Sequence, residues 1–431
     1  MATNKVSETF VVPIGPQHPA LKEPGHFEFT VDGEIVTNAY VRLGYAHRGI
    51  EKAAEGRNYI QSLYLTERIC GICSHIHATA YALTVEKLAG VEAPPRAQAI
   101  RVLVAELERI HSHFLWLGVA AHESGFDTLF MYSWRDRETV MDLLESLTGN
   151  RVNYSANVLG GVKFNVDNEQ ADAIRKGLEF LEKRAHHYLD VVINEAMFLQ
   201  RTRGIGTMTR NQAEVMGAVG PTARASNVPR DVRVEAPYAA YKEYPINMVL
   251  DTRGDVEARF VVRIKELFEC FRVIRQILDT LPPGELTTRV PRKLPEGEAV
   301  MRVEAPRGEL FYFIRGNGSD KPDRLKVRTP SINNFTTVSL AFYKNSNFKG
   351  SCCSTREICR ANKREAERIA TTHVYFCVKI IIVVNSCPIR FFKQFQRINI
   401  QGFILWGTRN NQCWHLFFIN RINDLAEFNT F

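Results

Sequence analysis

"RICGICSHIH", residues Arg68 to His77, contains the one Cys-x-x-Cys of the chain, followed at once by two histidines. Three residues of turn bring both sulfurs to the same side, within reach of one soft metal ion. A structural zinc would need two further ligands. His75 and His77 stand nearby, although Cys-x-x-Cys-x-His-x-His is an unusual zinc spacing. A thioredoxin-like redox pair would sit between the strand and the helix of a βαβ unit, and no such pattern surrounds Cys70. Plain packing is the third use of such a pair. The motif alone leaves metal, redox chemistry and packing open, and the rest of the chain has to separate them.

With 431 residues, 45% of them hydrophobic, the chain has enough apolar material for a large core and two or three subdomains. A mean hydropathy of −0.18 and the lack of a long uncharged apolar run argue against a membrane span. The opening "MATNKVSETFVVPIGPQHPA" has no apolar core of a secretory signal. The expectation is a cytoplasmic protein with reduced thiols, where Cys-x-x-Cys more often means metal or redox chemistry than a structural disulfide. The formal net charge of +8 belongs to one segment, since residues 342–431 carry 13 Lys/Arg against 5 Asp/Glu. The body before it is neutral, and no nucleic-acid-binding motif accompanies the basic tail, so nucleic acid is not expected as a partner.

Along the chain, "FEFTVDGEIV" (Phe27–Val36) reads as a hairpin, with two β-rich runs around Asp32-Gly33. From about Ile50 the pattern turns helical. "RAQAIRVLVAELERIHSHFLWLG" follows Pro94-Pro95, a good helix opening. Its apolar residues Ile100, Leu103, Val104, Leu107, Ile110 and Phe114 recur at three- and four-residue steps. Helical signal returns at "EQADAIRKGLEFLEKRAHHYLDVV" and "DVEARFVVRIKELFECFRVIRQIL". Gly/Pro-rich breaks fall at 204–220 and 282–298, and "AVMRVEAPRGELFYFIRGNG" reads as two strands joined by a turn. The expected fold is mainly α with small β-sheets: a β-rich segment at 1–60, a helical body at 61–290 carrying the Cys-x-x-Cys, and a β segment at 291–340. Residues 341–431 form a divergent, basic, Cys-rich tail of poor periodicity.

Arg-Ile-Cys-Gly-Ile-Cys-Ser-x-x-His resembles the N-terminal cysteine motif of nickel–iron hydrogenase large subunits. Further segments resemble one branch, the membrane-associated energy-converting hydrogenases, whose large subunit is related to the 49-kDa subunit family of respiratory complex I. They are "GPQHPA" (Gly15–Ala20), "GYAHRGIEK" (Gly44–Lys52), "TVEKLAG" (Thr84–Gly90) and "RVLVAELERIHSHFLWLG" (Arg101–Gly118). "GPTARAS" with "DVRVEAPYAAY" (Gly220–Tyr241) and "VEAPRGELFYFIRGNGSDKPDRLKVRTPS" (Val303–Ser331) complete the series. The resemblance runs from about Gly15 to Leu340. It implies the hydrogenase-type helical body with its N-terminal β-hairpin region.

By this resemblance Cys70 is a terminal nickel ligand and Cys73 a thiolate bridging nickel to an iron that carries diatomic ligands. Soft thiolates keep nickel redox-active and accept a proton beside a bound hydride. His77 matches the motif histidine, a donor to the bridging sulfur, and is otherwise a histidine packed on a helix. In "LKEPGHFEF", Glu23 takes the place of a proton relay, since a buried acid near neutral pKa can carry protons through a dry interior; otherwise it is a solvated loop acid. Arg307 of "EAPRGEL" matches the arginine over the metal pocket, with Pro306 lining the same wall. The other reading of Arg307 is a surface ion pair with Glu304 or Glu309.

The resemblance also implies two more thiolates from an Asp-Pro-Cys-x-x-Cys near the C-terminus. This chain has no Asp-Pro-Cys, and its tail cysteines (Cys352, Cys353, Cys359, Cys377, Cys387 and Cys413) do not reproduce the spacing. "GPQHPA" continues into "LKEPGH", without the Thr-His-Gly whose histidine serves the quinone site of the complex I branch. The sequence therefore points to a hydrogenase large subunit with an incomplete ligand set, reversibly reducing protons to H2. Electrons would come through an iron–sulfur cluster in a small subunit, with ferredoxin as indirect donor. The assembly would sit on the inner face of the cell membrane. The alternatives are a complex I-type quinone oxidoreductase scaffold without nickel, and a zinc-stabilised helical protein.

Overall fold

The computed structural model describes residues 9–18, 24–32 and 35–342, with side chains (apart from that of Ile35) as far as Val338. Glu23 and all six tail cysteines lie outside the described residues.

The chain begins with an antiparallel sheet of β1 (Thr9–Ile14), β2 (His26–Asp32) and β3 (Ile35–Arg42). In β2, Phe27, Phe29 and Val31 are buried and alternate with more exposed neighbours, so the two-residue side-chain period gives the sheet one apolar face. The expected hairpin is β2–β3, in register from His26 opposite Arg42 to Asp32 opposite Ile35.

Helices follow: α1 (Ile50–Glu55), α2 (Tyr59–Glu67), α3 (Ser74–Ala89), α4 (Pro95–Glu123) and α5 (Asp127–Thr148). A two-residue-per-strand hairpin, β4 (Asn157–Val158) and β5 (Gly161–Val162), leads to α6 (Asn168–Asn194). Asp167 caps α6 by accepting from Gln170 N, and the Gln170 side chain answers on the Asp167 N–H. The short helices α7 (Ala196–Thr202), α8 (Arg210–Val215), α9 (Gly220–Arg224) and α10 (Val232–Glu235) connect to α11 (Val256–Thr280). A second antiparallel sheet, β6 (Gly297–Ala305), β7 (Gly308–Gly316) and β8 (Pro322–Arg328), precedes α12 (Pro330–Phe342).

The long helix read after Pro94-Pro95 is α4, and the two later helical stretches are α6 and α11. Helix α4 is the axis of the body: every residue from Ala99 to Ala121 is buried. It packs on α3, α5 and α11. Trp116 meets Phe260 of α11 edge-on at 4.8 Å, and Gly118 lets α5 come close, because a Cβ there would lie 2.4 Å from Trp134 Cδ1. A helix covered on all sides must find a partner for each polar side chain it carries. Helix α4 carries Glu106, Glu108, Arg109, His111 and His113 in about two turns, and these residues shape what lies around the cysteines. Helix α3 packs against β6 and β7, which places the Pro306–Arg307 turn next to the start of that helix.

Candidate metal centre

Cys70 and Cys73 lie between α2 and α3, 3% and 6% exposed, with Cys73 as the N-cap of α3. Their Cα atoms are 5.4 Å apart and the structure records the sulfurs bonded to each other. At that separation two cysteines reach either one another or one shared ion. The Cys73 amide donates to Cys70 Sγ at 3.1 Å, which closes the turn expected of the spacing.

Two polar side chains hold this turn from either side. Arg48 donates through Nη1 to Arg68 O at 3.3 Å and through Nη2 to Ile69 O at 2.8 Å, fixing the backbone just before Cys70. Glu108 of α4 accepts from the amides of His75 (2.7 Å) and Ile76 (3.0 Å), capping the first turn of α3 in place of Cys73. Burial pushes Glu108 up to about 8, although both amide bonds favour its ionised form.

His77 stands one turn beyond Cys73. One of its ring nitrogens and the two sulfurs lie within 4.8 Å of one another, all three residues being buried. Its Nδ1 is 2.8 Å from the Tyr312 hydroxyl of β7. Burial first, then the positive charges of Arg307 and Arg48, lower its pKa to about 3, so the imidazole is neutral. His75 is different. Its Nε2 faces Arg101 O at 2.9 Å and its Nδ1 faces Asn157 Nδ2 at 3.1 Å. Both nitrogens are engaged away from the sulfurs, which removes His75 from the zinc ligand set that the sequence had left open.

Arg307 is 7% exposed, on the tight turn between β6 and β7, and Pro306 beside it is buried. The surface ion pair is therefore not its setting. Glu304 is buried against Arg224 at 2.8 Å, while Glu309 pairs with Arg302 and Arg328. The Arg307 charge depresses the pKa of both His77 and His111, so it stands by the cysteine cluster. The start of α9 presses on the turn: a Cβ on Gly220 would lie 2.3 Å from Arg307 O. Asn334 of α12 donates to the same carbonyl at 3.2 Å.

Behind that turn lies a buried ion network built from motifs far apart in sequence. Arg224 touches three carboxylates, Glu266 at 2.8 Å, Glu304 at 2.8 Å and Asp231 at 3.2 Å. Arg233 joins Asp231 (2.7 Å) to Glu106 (3.1 Å), and Arg109 donates to Glu304 O at 2.6 Å and Ala305 O at 3.2 Å. Burial and the neighbouring Asp231 raise Glu304 to about 7. The network ties α4, α9, α10 and α11 to β6, the strand that leads into Pro306.

The structure thus brings Cys70, Cys73, His77 and Arg307 together. Residues that the sequence reading assigned no role are Arg48, Glu108, His111 and Tyr312. The available signal was the density of charged and histidine residues in α4, where an apolar stripe alone gives no reason for them.

A mostly helical body with small antiparallel sheets, enclosing a Cys-Cys-His cluster beneath an arginine, defines the class, and comparison with known proteins makes it one of oxidoreductases. The family described as "Nickel-dependent hydrogenase" matches residues 48–126, and "Respiratory-chain NADH dehydrogenase, 49 Kd subunit" matches 123–293 and 287–345. The membrane-bound hydrogenase subunit alpha of Pyrococcus furiosus is 40% identical over 79% of this chain and 84% of its own length. The carbon monoxide-induced hydrogenase of Rhodospirillum rubrum is 39% identical, covering 77% and 92%. NADH-quinone oxidoreductase subunit 4 of Thermus thermophilus is 36% identical, covering 78% and 88%. A solved chain of the membrane-bound sulfane sulfur reductase, an archaeal respiratory membrane complex, superposes with a TM-score of 0.74 at 31% identity, covering 78% of this chain and 93% of its own. The chain belongs to the family that unites membrane-bound hydrogenase large subunits with the 49-kDa subunit of the respiratory-chain NADH dehydrogenases.

Proposed function

We propose that this chain is the large subunit of a nickel–iron hydrogenase complex that interconverts protons and H2. The observation that supports it is the buried cluster of Cys70, Cys73 and His77, whose ligand atoms lie within 4.8 Å of one another.

The donor set fits one side of such a centre. Cys70 and Cys73 are the two thiolates, released when the bond between them is reduced, and the neutral His77 ring lies beside them without adding charge. Cys270, the third cysteine among the described residues, is buried against Glu106 and stands outside the cluster. Any further thiolate of this chain comes from the six tail cysteines, outside the described residues. A nickel–iron centre bound here would supply the two-electron chemistry, two protons and two electrons combining to H2.

The chain's own residues do the rest. Arg48 and Glu108 fix the two ends of the cysteine turn. Tyr312 orients His77: a hydroxyl donating to Nδ1 leaves the ring proton on Nε2, able to donate to a sulfur. Arg307 supplies a permanent positive charge that stabilises negative charge gathered at the sulfurs. Glu23 is the proton relay of this reading. Electrons arrive through an iron–sulfur small subunit, with ferredoxin as the indirect donor. No described helix is long and apolar enough to cross a membrane, and the proposed position is peripheral, on the inner face of the cell membrane, held by the other subunits.

A second reading, a complex I-type scaffold without nickel, is favoured by the longer stretch matched to the 49-kDa family and by the lack of an Asp-Pro-Cys motif. Metal analysis of the purified complex, beside a Cys73→Ser variant, separates the two. Nickel and iron in roughly equal amounts, lost in the variant, support the hydrogenase. Absence of both metals with the small subunit still bound supports the scaffold, and zinc alone supports a structural site. Nickel content unchanged by Cys73→Ser overturns the ligand assignment.

A further inference from the structure

Asn317-Gly318 is the one Asn-Gly pair of the chain, and it lies on the turn between β7 and β8 with both residues exposed. Gly318 sits at φ +81, and a Cβ added to it would meet nothing within 4 Å. Neither a side chain of its own nor a neighbour on that side crowds its amide nitrogen.

The Asn317 side chain is held over this turn. Its Oδ1 accepts from the Ser319 amide at 3.2 Å and from the Ser319 hydroxyl at 2.6 Å, the bond that Asn commonly makes with the chain two residues on. Two donors on one carboxamide oxygen draw electron density away from Cγ. They also meet the atom on which negative charge gathers when a nucleophile adds to that carbon. The nucleophile next in the chain is the Gly318 backbone nitrogen, whose attack closes a five-membered ring within one molecule.

We propose that Asn317 is a self-modifying site, its amide polarised by Ser319 and attacked by the Gly318 nitrogen. The bond from Gly318 N to Asn317 Cγ forms, the Cγ–Nδ2 bond breaks, and the proton lost from Gly318 N leaves with the side-chain nitrogen as ammonia. Water then opens the cyclic imide, its hydroxyl adding to one carbonyl carbon and its proton to the Gly318 nitrogen. Opening at Cγ gives aspartate, and opening at the main-chain carbonyl carbon of Asn317 gives isoaspartate. No electrons are exchanged, and water is the co-reactant.

The turn is not a free end of the fold. Ser319 O accepts from Leu294 N at 3.1 Å, and Asp320 O accepts from Tyr59 N at 3.2 Å, at the start of α2, the helix that leads into the cysteine turn. Isoaspartate lengthens the main chain by one carbon just before both of these carbonyls.

The test is to hold the purified complex in mildly alkaline buffer, where more of the backbone nitrogen is deprotonated, and to follow its tryptic peptides by mass spectrometry. Peptide 316–324, intact because trypsin does not cut between Lys321 and Pro322, becomes heavier by the difference between a hydroxyl and an amino group. It separates into two products, one of which takes a methyl group from S-adenosylmethionine through an isoaspartate methyltransferase, the mark of the cyclic imide. Asn317→Gln, whose side chain is one methylene longer, keeps its mass at this peptide. Ser319→Ala retains the backbone donor and loses the hydroxyl, and its conversion is slower by about fivefold, the effect of one ordinary hydrogen bond on a rate. Wild type aged in this way melts below fresh protein, and Asn317→Gln aged beside it does not. A wild-type peptide of unchanged mass overturns the proposal, as does aspartate formed with no isoaspartate, the result of direct attack by water. A rate equal or higher in Ser319→Ala overturns the part given to Ser319, and equal melting of aged and fresh wild type overturns the coupling to α2.

Discussion

His77 and Tyr312 are 235 residues apart in sequence and bonded in the fold, imidazole Nδ1 to phenol oxygen at 2.8 Å. The contact joins the first turn of α3, just after the cysteines, to the middle strand of the C-terminal sheet, which starts directly after Arg307. Tyr312→Phe keeps the ring packing and removes the hydroxyl that meets His77 and Thr66. The expected loss in urea unfolding of the purified protein is about 1 kcal/mol. Stability equal to wild type would show that the hydroxyl's contacts contribute nothing to joining the two elements.

Glu108 is the one carboxylate on the amides of α3's first turn, and its pKa predicts a pH dependence. Burial raises it from the ordinary 4.5 to about 8 in the fold. The neutral form is therefore the one the fold prefers. Its stabilising share is complete below about pH 4.5 and is lost as the pH rises through 8. Glu108→Gln cannot ionise, so this decline is absent between those values in the variant. Thermal melts across the range test it, and parallel curves for the two proteins would contradict the assignment of the titration to Glu108.

How far the sequence foretold this centre depends on where each partner sits. Cys70, Cys73 and His77 fall within one short stretch, so their spacing alone displays them. Helices α4, α6 and α11 were legible because apolar residues recur at helical steps behind a proline pair or an Asp cap. Helix α5 was not picked out, because "DTLFMYSWRDRETVMDLLESLT" mixes charge and aromatics on several faces and buries Asp136 and Arg137 in the interior. Glu108 was invisible for a different reason. Its partners are backbone amides, which any residue but proline has, so no side chain in the sequence answers to it. His111 and Arg137 meet only because two long helices pack side by side, a contact set by tertiary structure and not by spacing.

Arg224 is the strongest test of the buried network. One guanidinium serves Glu266, Glu304 and Asp231 where water is excluded. Arg224→Met leaves those carboxylates without their shared counter-charge, and a loss of about 3–5 kcal/mol is expected, enough to lower the soluble yield. Arg224→Lys restores the charge but not the planar fork that reaches three acids, so it should keep most of the loss. A lysine variant melting with the wild type would show that charge alone suffices and that the fork geometry is incidental.

Gly220 decides how firmly the Arg307 turn is held. It sits at φ +66, and a Cβ there would lie 2.3 Å from Arg307 O and 2.5 Å from Gly308 Cα. Both are backbone atoms, which cannot rotate aside as a side chain can. Gly204 has nearly the same φ, +70, with nothing within 4 Å of the added atom. The paired substitutions therefore separate two costs. Gly204→Ala carries only the left-handed conformation, about 1–2 kcal/mol. Gly220→Ala carries that and the displacement of the turn, so its melting temperature should fall further. Equal melting for the two variants would mean that α9 and the turn are loosely apposed and that Arg307 is held in place by something other than this contact.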